Sequence, residues 1–122
     1  MEKSFVIFMG TTLTPVKIIA SNLTFLKRSD NLVDVSLHLR AQNLGVDPVV
    51  VFHQNDEWLL VASEYRHHYV TESKPVLILQ PLDIGYKSVK FTVDSSLEPK
   101  GIFWYRWTGA GWTRITIVWS IG

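Results

Sequence analysis

Apolar and polar residues alternate along most of the chain with a period of two. The clearest case is residues 32–41, where one face carries Val33, Val35, Leu37, Leu39 and Ala41 and the other carries Asp34, Ser36, His38 and Arg40. Successive side chains of a β-strand point to opposite faces, so this segment predicts a strand with one buried and one solvated face. No window shows the ~3.6-residue period of an amphipathic helix.

The same alternation predicts further strands over residues 4–9, 16–20, 49–53, 58–63, 75–80, 87–93, 102–107 and 112–121. Turn-forming residues separate them: a Thr-rich segment (10–15), a polar segment suited to a hairpin (54–57) and a segment with two glycines (108–111). About eight or nine short strands without a linker or repeat predict one domain over residues 1–122, an all-β antiparallel sandwich of the immunoglobulin or fibronectin type. A small jelly-roll or barrel has the same strand pattern and stays open as an alternative.

Composition narrows the class of protein. The chain has no cysteine, which excludes disulfides and thiolate metal sites. Its 12 Lys and Arg against 11 Asp and Glu give a net charge of +1, and the basic residues are dispersed. Nucleic-acid binding needs a concentrated basic surface, so we expect no nucleic-acid partner. The apolar run in residues 5–9 is too short for a signal peptide or a membrane span, so we expect a soluble protein without membrane insertion, either cytoplasmic or released non-classically.

The residues able to carry catalysis or bind a metal are not spaced for either task. The histidines are His38, His53, His67 and His68, and the two adjacent ones would point to opposite faces of a strand. The carboxylates Asp56, Glu57, Glu64 and Glu72 show no spacing that predicts the ~5–9 Å pair of a glycosidase. The sequence also has no Gly-x-Ser-x-Gly elbow and no phosphate-binding glycine loop. We therefore expect a binding protein without metal or cofactor, not an enzyme.

Aromatic residues crowd the C-terminal hairpin. Strict alternation places Phe103, Tyr105 and Trp107 on one face of its first strand, with Trp104 and Arg106 on the other. On its second strand, alternation predicts an apolar face that includes Trp119 in the core, and a mixed face comprising Trp112, Arg114, Thr116, Val118 and Ser120. An aromatic ring beside hydrogen-bond donors is typical of a sugar site and of a protein interface. We predict Trp112, Arg114 and Trp104 as ligand contacts, with Trp107 and Tyr105 in support.

Three patches, in the same order and at similar spacing over residues 22–83, resemble the fungal immunomodulatory proteins, small lectin-like proteins without cysteine. Asn22-Leu23-Thr24-Phe25-Leu26-Lys27 is similar to that family's Asn-Leu-Thr-Phe-Pro-Lys segment, and Asn43-Leu44-Gly45-Val46 to its Asn-Leu-Gly-Val turn. Glu64-Tyr65 with Tyr69, followed by residues 76–83, is similar to its Glu-Tyr…Tyr segment and the apolar strand after it. The resemblance implies an immunoglobulin-like sandwich that binds cell-surface glycans, and it carries over no particular sugar-binding residue.

These observations lead to one functional expectation and one alternative. We expect a lectin-like protein that recognises a glycan or glycoprotein on a cell surface, as a homo-oligomer with a dimer favoured, because 47% of its residues are apolar. The alternative is an oligomeric viral or phage attachment domain or capsid-like β-domain. Asn22-Leu23-Thr24 is also an N-glycosylation sequon, which makes Asn22 a candidate for modification if the chain enters a secretory pathway.

Overall fold

Strands account for nearly all of the regular structure. The computed structural model describes residues 2–53, 56–63, 67–69, 77–107 and 109–121, with only the backbone described for residues 67–69. Within these ranges the strands are β1 (Glu2–Met9), β2 (Thr14–Lys27), β3 (Leu32–Asn43), β4 (Val49–Phe52), β5 (Asp56–Ala62), β6 (His67–Tyr69), β7 (Leu77–Leu79), β8 (Ile84–Asp94), β9 (Pro99–Trp107) and β10 (Trp112–Ser120).

The strands form two antiparallel four-stranded sheets and one short pair. The front sheet has the order β1-β2-β3-β8, the back sheet has the order β10-β9-β5-β6, and β4 pairs with β7. Over the described ranges the sheets do not close into a barrel, and the predicted all-β sandwich is confirmed. Among the described residues, no helix is long and apolar enough to span a bilayer.

The predicted faces of the front sheet are confirmed. Residues Val35, Leu37 and Leu39 of β3 are buried, whereas His38 is exposed. Their cross-strand partners on β8 include Phe91, which lies opposite Val35, and Val89, which lies opposite Leu37. These pairs place one apolar face of the sheet against the core, as the alternation of both strands predicts.

The back sheet contributes the largest side chains of the core. Trp58 on β5 and Trp104 on β9 lie directly opposite each other, fully buried, with ring centroids 5.0 Å apart and planes only 12° from parallel. Phe52 of β4 contacts both rings, at centroid distances of 6.1 and 5.4 Å. Lys87 reaches this cluster from β8, with Nζ 5.0 Å from the centroid of Phe52. These aromatic contacts join β4 and the back sheet around one core.

The expected β4–β5 hairpin is wrong. Strand β4 pairs with β7, while β5 pairs with β9 and β6, so the chain crosses to another sheet between Phe52 and Asp56. The Asp56 carboxylate accepts a hydrogen bond from the His53 amide at 3.0 Å, and the Asp56 amide donates to the His53 carbonyl at 2.9 Å. These contacts tie His53 to the start of β5, although β4 and β5 do not pair. Several residues of the predicted turns and strands, at positions 54–55, 75–76 and 108, lie outside the described residues.

The open edges of the two sheets meet along one side of the sandwich. Lys3 on β1 donates a hydrogen bond from Nζ to the Ile117 carbonyl of β10 at 3.0 Å. Phe25 on β2 and Trp119 on β10 also approach each other, with ring centroids 5.8 Å apart. A lysine at an edge strand hinders pairing with another chain, so this contact both ties the sheets together and protects the β10 edge.

Candidate functional site

The outer side of the back sheet carries a group of aromatic and charged side chains from three neighbouring strands. Trp112 of β10 lies opposite Trp107 of β9, and Arg114 lies opposite Tyr105. On the other side of β9, Glu57 of β5 lies opposite Tyr105. Cross-strand neighbours are about 4.5–5.5 Å apart at Cβ, so the five side chains form one patch. We call Glu57, Tyr105, Trp107, Trp112 and Arg114 the aromatic face.

Two tryptophans dominate the aromatic face at its hairpin end. The rings of Trp107 and Trp112 meet edge to face, with centroids 5.5 Å apart and planes at 69°. Their exposed fractions are 46% and 50%, so each indole contacts its neighbour and still offers about half of its surface to solvent. Gly109 and Gly111 of the connecting turn have φ values of 85° and 131°, a region that glycine enters without strain. The turn thus holds the two rings side by side.

A small concavity opens between Trp112 and the middle strands of this sheet. It has a volume of about 170 Å³ and is lined by Glu57, Leu59, Tyr105 and Trp112. Pockets for drug-sized ligands are usually ~300–1,000 Å³, so this one suits a single small ring or the edge of a larger molecule. Its walls combine aromatic, aliphatic and carboxylate groups. A ligand that is apolar on one side and hydroxylated on the other matches that combination.

The strict alternation predicted for β10 is wrong beyond Arg114. The register shifts between Arg114 and Thr116, and again between Ile117 and Trp119, which marks two β-bulges or irregularities. Each bulge adds one residue to the strand, so the residues after it change face. Thr116 consequently lies opposite the buried Trp104. The predicted mixed face therefore does not run the length of the strand, and only its first part contributes to the aromatic face.

The further members of that predicted mixed face are separated by the bulges. Val118 is fully buried, whereas Trp112 and Arg114 are exposed. Trp119 is half-buried and packs against the core, in line with its expected place there. The β9 prediction is confirmed, because Trp104 and Arg106 lie on the side facing away from Tyr105 and Trp107.

Trp104 must be removed from the predicted ligand contacts. Its ring is fully buried and stacked on Trp58, so a ligand at the surface cannot reach it. The other predicted site residues do come together on the aromatic face. Trp112 and Arg114 are exposed, Trp107 lies beside Trp112, and Tyr105 is half-buried between the charged residues Glu57 and Arg114.

Glu57 and Leu59 are site residues that the sequence did not assign to this face. Both alternate with the buried residues Trp58 and Leu60, so the local pattern does place them on an outer face. That pattern does not identify β9 as the neighbouring strand. The long-range β5–β9 register was needed to bring Glu57 beside Tyr105.

Arg106 and Asp56 support the site without belonging to it. Arg106 donates from Nε to Asp56 Oδ1 at 2.6 Å and from Nη2 to Asp56 Oδ2 at 3.3 Å. Nη2 also donates to the Val51 carbonyl at 2.9 Å. This ion pair holds β9 against β5 and β4 next to Glu57 and Tyr105. The charges of Arg106 and Asp56 are thus already compensated within the protein.

Metal-binding side chains do not cluster in the described part of the chain. No group of three or more His, Asp or Glu side chains there could hold a metal ion. His38 is exposed, and its Nδ1 atom lies 3.1 Å from Ser88 Oγ. His53 is half-buried beside Asp56. The side chains of His67 and His68 lie outside the described residues, as do Glu64 and Glu72.

The sequon asparagine lies at an irregularity of β2. Asn22 is exposed, has a φ of 53°, and falls where the β2–β3 register shifts between Ser21 and Thr24. Asparagine adopts this left-handed conformation more readily than most residues, so it is a suitable residue for the bulge. This position leaves its side chain accessible to a modifying enzyme.

Comparison with known proteins adds little to this description. No protein-family model matches the chain, and no curated protein matches it. Among solved structures, the chain is similar to a conserved hypothetical protein from Bacillus anthracis, with 12% identity over 94% of this chain and 97% of that one, at a TM-score of 0.45. This likeness is too low to bear on fold or function.

Proposed function

We propose that this chain is a lectin-like binding protein that holds one sugar unit of a cell-surface glycan on the aromatic face. The observation that carries the proposal is the concavity in which Trp112 and Tyr105 converge with the Glu57 carboxylate. A pyranose ring has an apolar C–H face that can pack on an indole and hydroxyl groups at its rim. Glu57 would accept hydrogen bonds from two hydroxyls, and Arg114 would donate to ring or hydroxyl oxygens.

The arrangement favours binding over hydrolysis. A glycosidase places two carboxyl groups about 5–9 Å apart on either side of the bond that it cleaves. Among the described residues lining the concavity, Glu57 supplies the sole carboxylate. Asp56, the neighbouring acid, is occupied by Arg106, and its side chain is only 1% exposed. We therefore assign Glu57 a hydrogen-bonding role.

The expected affinity is low for a single site. A concavity of about 170 Å³ encloses a small part of a saccharide, and much of the ligand remains in solvent. We expect a monovalent Kd in the range of about 0.1–10 mM, corresponding to roughly 3–5 kcal/mol of binding free energy. Useful binding to a cell surface would then require several sites acting together, which agrees with the predicted homo-oligomer.

The resemblance to the fungal immunomodulatory proteins supports a glycan ligand, while the alternative remains an attachment or capsid-like domain. A glycan array combined with native mass spectrometry separates the two proposals. Binding to a defined set of glycans by a small oligomer supports the lectin proposal. A trimer that binds no glycan on the array supports the attachment domain.

Three variants test the site directly: Trp112→Ala, Trp107→Ala and Glu57→Gln. Each should weaken binding of a glycan found on the array by at least about tenfold, measured by titration calorimetry or ligand-observed NMR. Phe8→Ala is the matched control, since Phe8 is an exposed ring on β1 of the other sheet. Folded Trp112→Ala protein that binds as tightly as Phe8→Ala protein would overturn the proposed site.

A further inference from the structure

A second, larger concavity lies on the outer side of the front sheet. It has a volume of about 460 Å³ and is lined by side chains of β1, β2, β3 and β8. This volume falls within the ~300–1,000 Å³ that is usual for small-molecule sites, whereas the concavity on the aromatic face does not. Its polar and aromatic lining side chains are Glu2, Ser21, Asn22, His38, Arg40 and Tyr86.

The sheet register orders these side chains in two adjacent rows. In one row Arg40 of β3 lies between Ile19 of β2 and Tyr86 of β8. In the next row Ser21 lies between Glu2 of β1 and His38 of β3. Ile19, Ser21, His38 and Arg40 each follow a buried residue of their strand, so they lie on the outer face. Cross-strand pairing places Glu2 and Tyr86 on that same face. The Arg40 guanidinium thus lies next to β8, and the Glu2 carboxylate lies at the β1 side.

Tyr86 supplies an exposed ring at the rim of this second concavity. Its exposed fraction is 73%, the highest of any aromatic side chain among the described residues. It lies directly opposite Arg40, which places the guanidinium within reach of a ligand packed on the ring. Tyr86 therefore offers an apolar surface and a hydroxyl that contribute little to the core.

Arg40 differs from Arg106, the other half-buried arginine of the described strands. Arg106 is engaged by Asp56, and the exposed Arg28, which directly follows β2, is paired with Asp30 at 2.9 Å. Within the described part of the chain, the Arg40 side chain forms no hydrogen bond or ion pair, although it is half-buried. A guanidinium presents its donors in a fixed fork that matches a carboxylate. Its place in the concavity gives it room for such a partner.

We propose that the second concavity binds a carboxylate-bearing saccharide, of the uronic or sialic acid class. Arg40 binds the carboxylate through two parallel hydrogen bonds, and Tyr86 packs on the C–H face of the sugar ring. Ser21 and Asn22 hydrogen-bond to the hydroxyls. His38 contributes Nε2, since Nδ1 already faces Ser88 Oγ at 3.1 Å. The inference rests on the proposed function in that it extends the same ligand class to a second site.

Glu2 is the feature that favours a saccharide over a simple anion. The Glu2 carboxylate repels any anion bound at Arg40, and a simple carboxylate has no hydroxyl group that could offset this repulsion by hydrogen bonding to Glu2. A uronic acid has one anionic group for Arg40 and several hydroxyl donors for Glu2. The charged residues at the two ends of the site thus match opposite ends of one sugar ring.

The intact chain is titrated with three probes. Two of them each lack one feature of the first. Methyl β-glucuronide carries the carboxylate, methyl β-glucoside replaces it with a hydroxymethyl group, and acetate supplies the carboxylate without the ring. Amide chemical shifts are followed by ¹H–¹⁵N correlation spectra during titration. We expect the glucuronide to shift the amides around Ile19, Arg40 and Tyr86, with at most weak shifts there from the glucoside or acetate.

Variants show which side chains cause those shifts. Arg40→Gln and Tyr86→Ala should each raise the glucuronide Kd at least about tenfold. Lys17→Gln removes a positive charge from the same outer face outside the concavity and should leave the Kd within about twofold. Equal losses in Arg40→Gln and Lys17→Gln, or equal shifts from acetate and glucuronide, would overturn the proposal.

These titrations distinguish failure of the second site from failure of the proposed sugar site on the aromatic face. Trp112→Ala tests the aromatic face. The amides of β9 and β10 report on that face, and they belong to a different sheet from the amides of Arg40 and Tyr86. Glucuronide shifts confined to β9 and β10 would overturn the second site and leave the first intact. Shifts confined to the front sheet would establish the second site even if the aromatic face bound no sugar.

Discussion

Arg106 and Asp56 form a two-point ion pair at the place where the chain leaves β4 for the back sheet. Nε lies 2.6 Å from Oδ1, and the guanidinium also bonds the Val51 carbonyl. The Asp56 side chain is almost fully buried, so its charge is stabilised mainly by protein groups. The pair therefore fixes how β4, β5 and β9 meet, and with it the position of Glu57 on the aromatic face.

Removing the arginine alone should be costly. Arg106→Met leaves Asp56 as an uncompensated buried carboxylate, and we expect a loss of about 3–5 kcal/mol in the free energy of unfolding. Chemical denaturation measures it. Lys100→Gln is the control, because the exposed Lys100–Glu98 pair, at 3.0 Å, should contribute under about 1 kcal/mol. Comparable losses in both variants would show that the Arg106–Asp56 pair is no more than a surface contact.

The stacked and the exposed tryptophans should respond differently to the same substitution. Trp104→Ala removes a fully buried ring and should cost roughly 3–5 kcal/mol of stability. Trp112→Ala removes a half-exposed ring and should cost under about 1.5 kcal/mol, while glycan binding is lost. Thermal or chemical unfolding and a binding titration on the same samples separate the two effects. A large stability loss in Trp112→Ala would make its binding defect uninformative about contact.

Neighbouring positions of β3 provide a test of the front-sheet faces. Leu37 is fully buried and His38 is exposed, so Leu37→Ala should cost about 2–5 kcal/mol and His38→Ala under about 1 kcal/mol. Denaturant midpoints of the two variants give the comparison. Similar midpoints would mean that both faces of β3 are covered, for instance by a second copy of the chain.

Asp34 should make stability depend on acid pH. A hydrogen bond from Thr92 Oγ1 at 2.9 Å, reinforced by the charges of Lys90 and Arg28, lowers the pKa of Asp34 below its ordinary 3.8. Because the unfolded chain binds this proton more readily, the contribution is complete above about pH 5, declines as the unfolded chain is protonated, and disappears as the pH falls through the lowered pKa. Carbon-detected NMR titration of the carboxyl group should show the shift.

Replacing the donor to Asp34 gives the matched variant. Thr92→Val should raise the pKa of Asp34 toward its ordinary value, and its stability deficit should be present at pH 7 and smaller at pH 2. Thr24→Val, at an exposed position of β2, should change neither. A deficit in Thr92→Val that is independent of pH would assign the effect to packing.

The predicted homo-oligomer can be measured in the same preparations. Light scattering at high micromolar concentration should give at least twice the mass of one chain. Trp112→Ala should not change this mass, because the proposed sugar site must stay open in the assembly. A shift of that variant toward a monomer would place the aromatic face in the subunit interface and contradict the proposed site. A wild-type protein that stays monomeric would contradict the prediction.

The local alternation of apolar and polar residues was sufficient to predict most of the strands and the buried face of β3. It did not predict β6 or the second half of β2, where few apolar residues alternate. It could not show which strands are neighbours, so β4 and β5 were paired wrongly and Glu57 was not placed beside Tyr105. It also could not show the bulges of β10, because Ile117, Val118 and Trp119 are all apolar and conceal the change of face. Whether Trp104 or Trp112 is buried depends on how its strand pairs with the neighbouring strands. That pairing is not visible in the sequence of one strand.

The two concavities lie on the outer sides of opposite sheets, so ligands bound at both would point away from each other across the thickness of the sandwich. Stacked sheets are about 10 Å apart, which is short compared with a glycan chain. One polypeptide would then be divalent and could cross-link a polysaccharide that carries both neutral and acidic units. Turbidity or precipitation would depend on the ratio of protein to polysaccharide and pass through a maximum, even for a monomer. Loss of either site would leave a protein that coats the polymer without joining its chains.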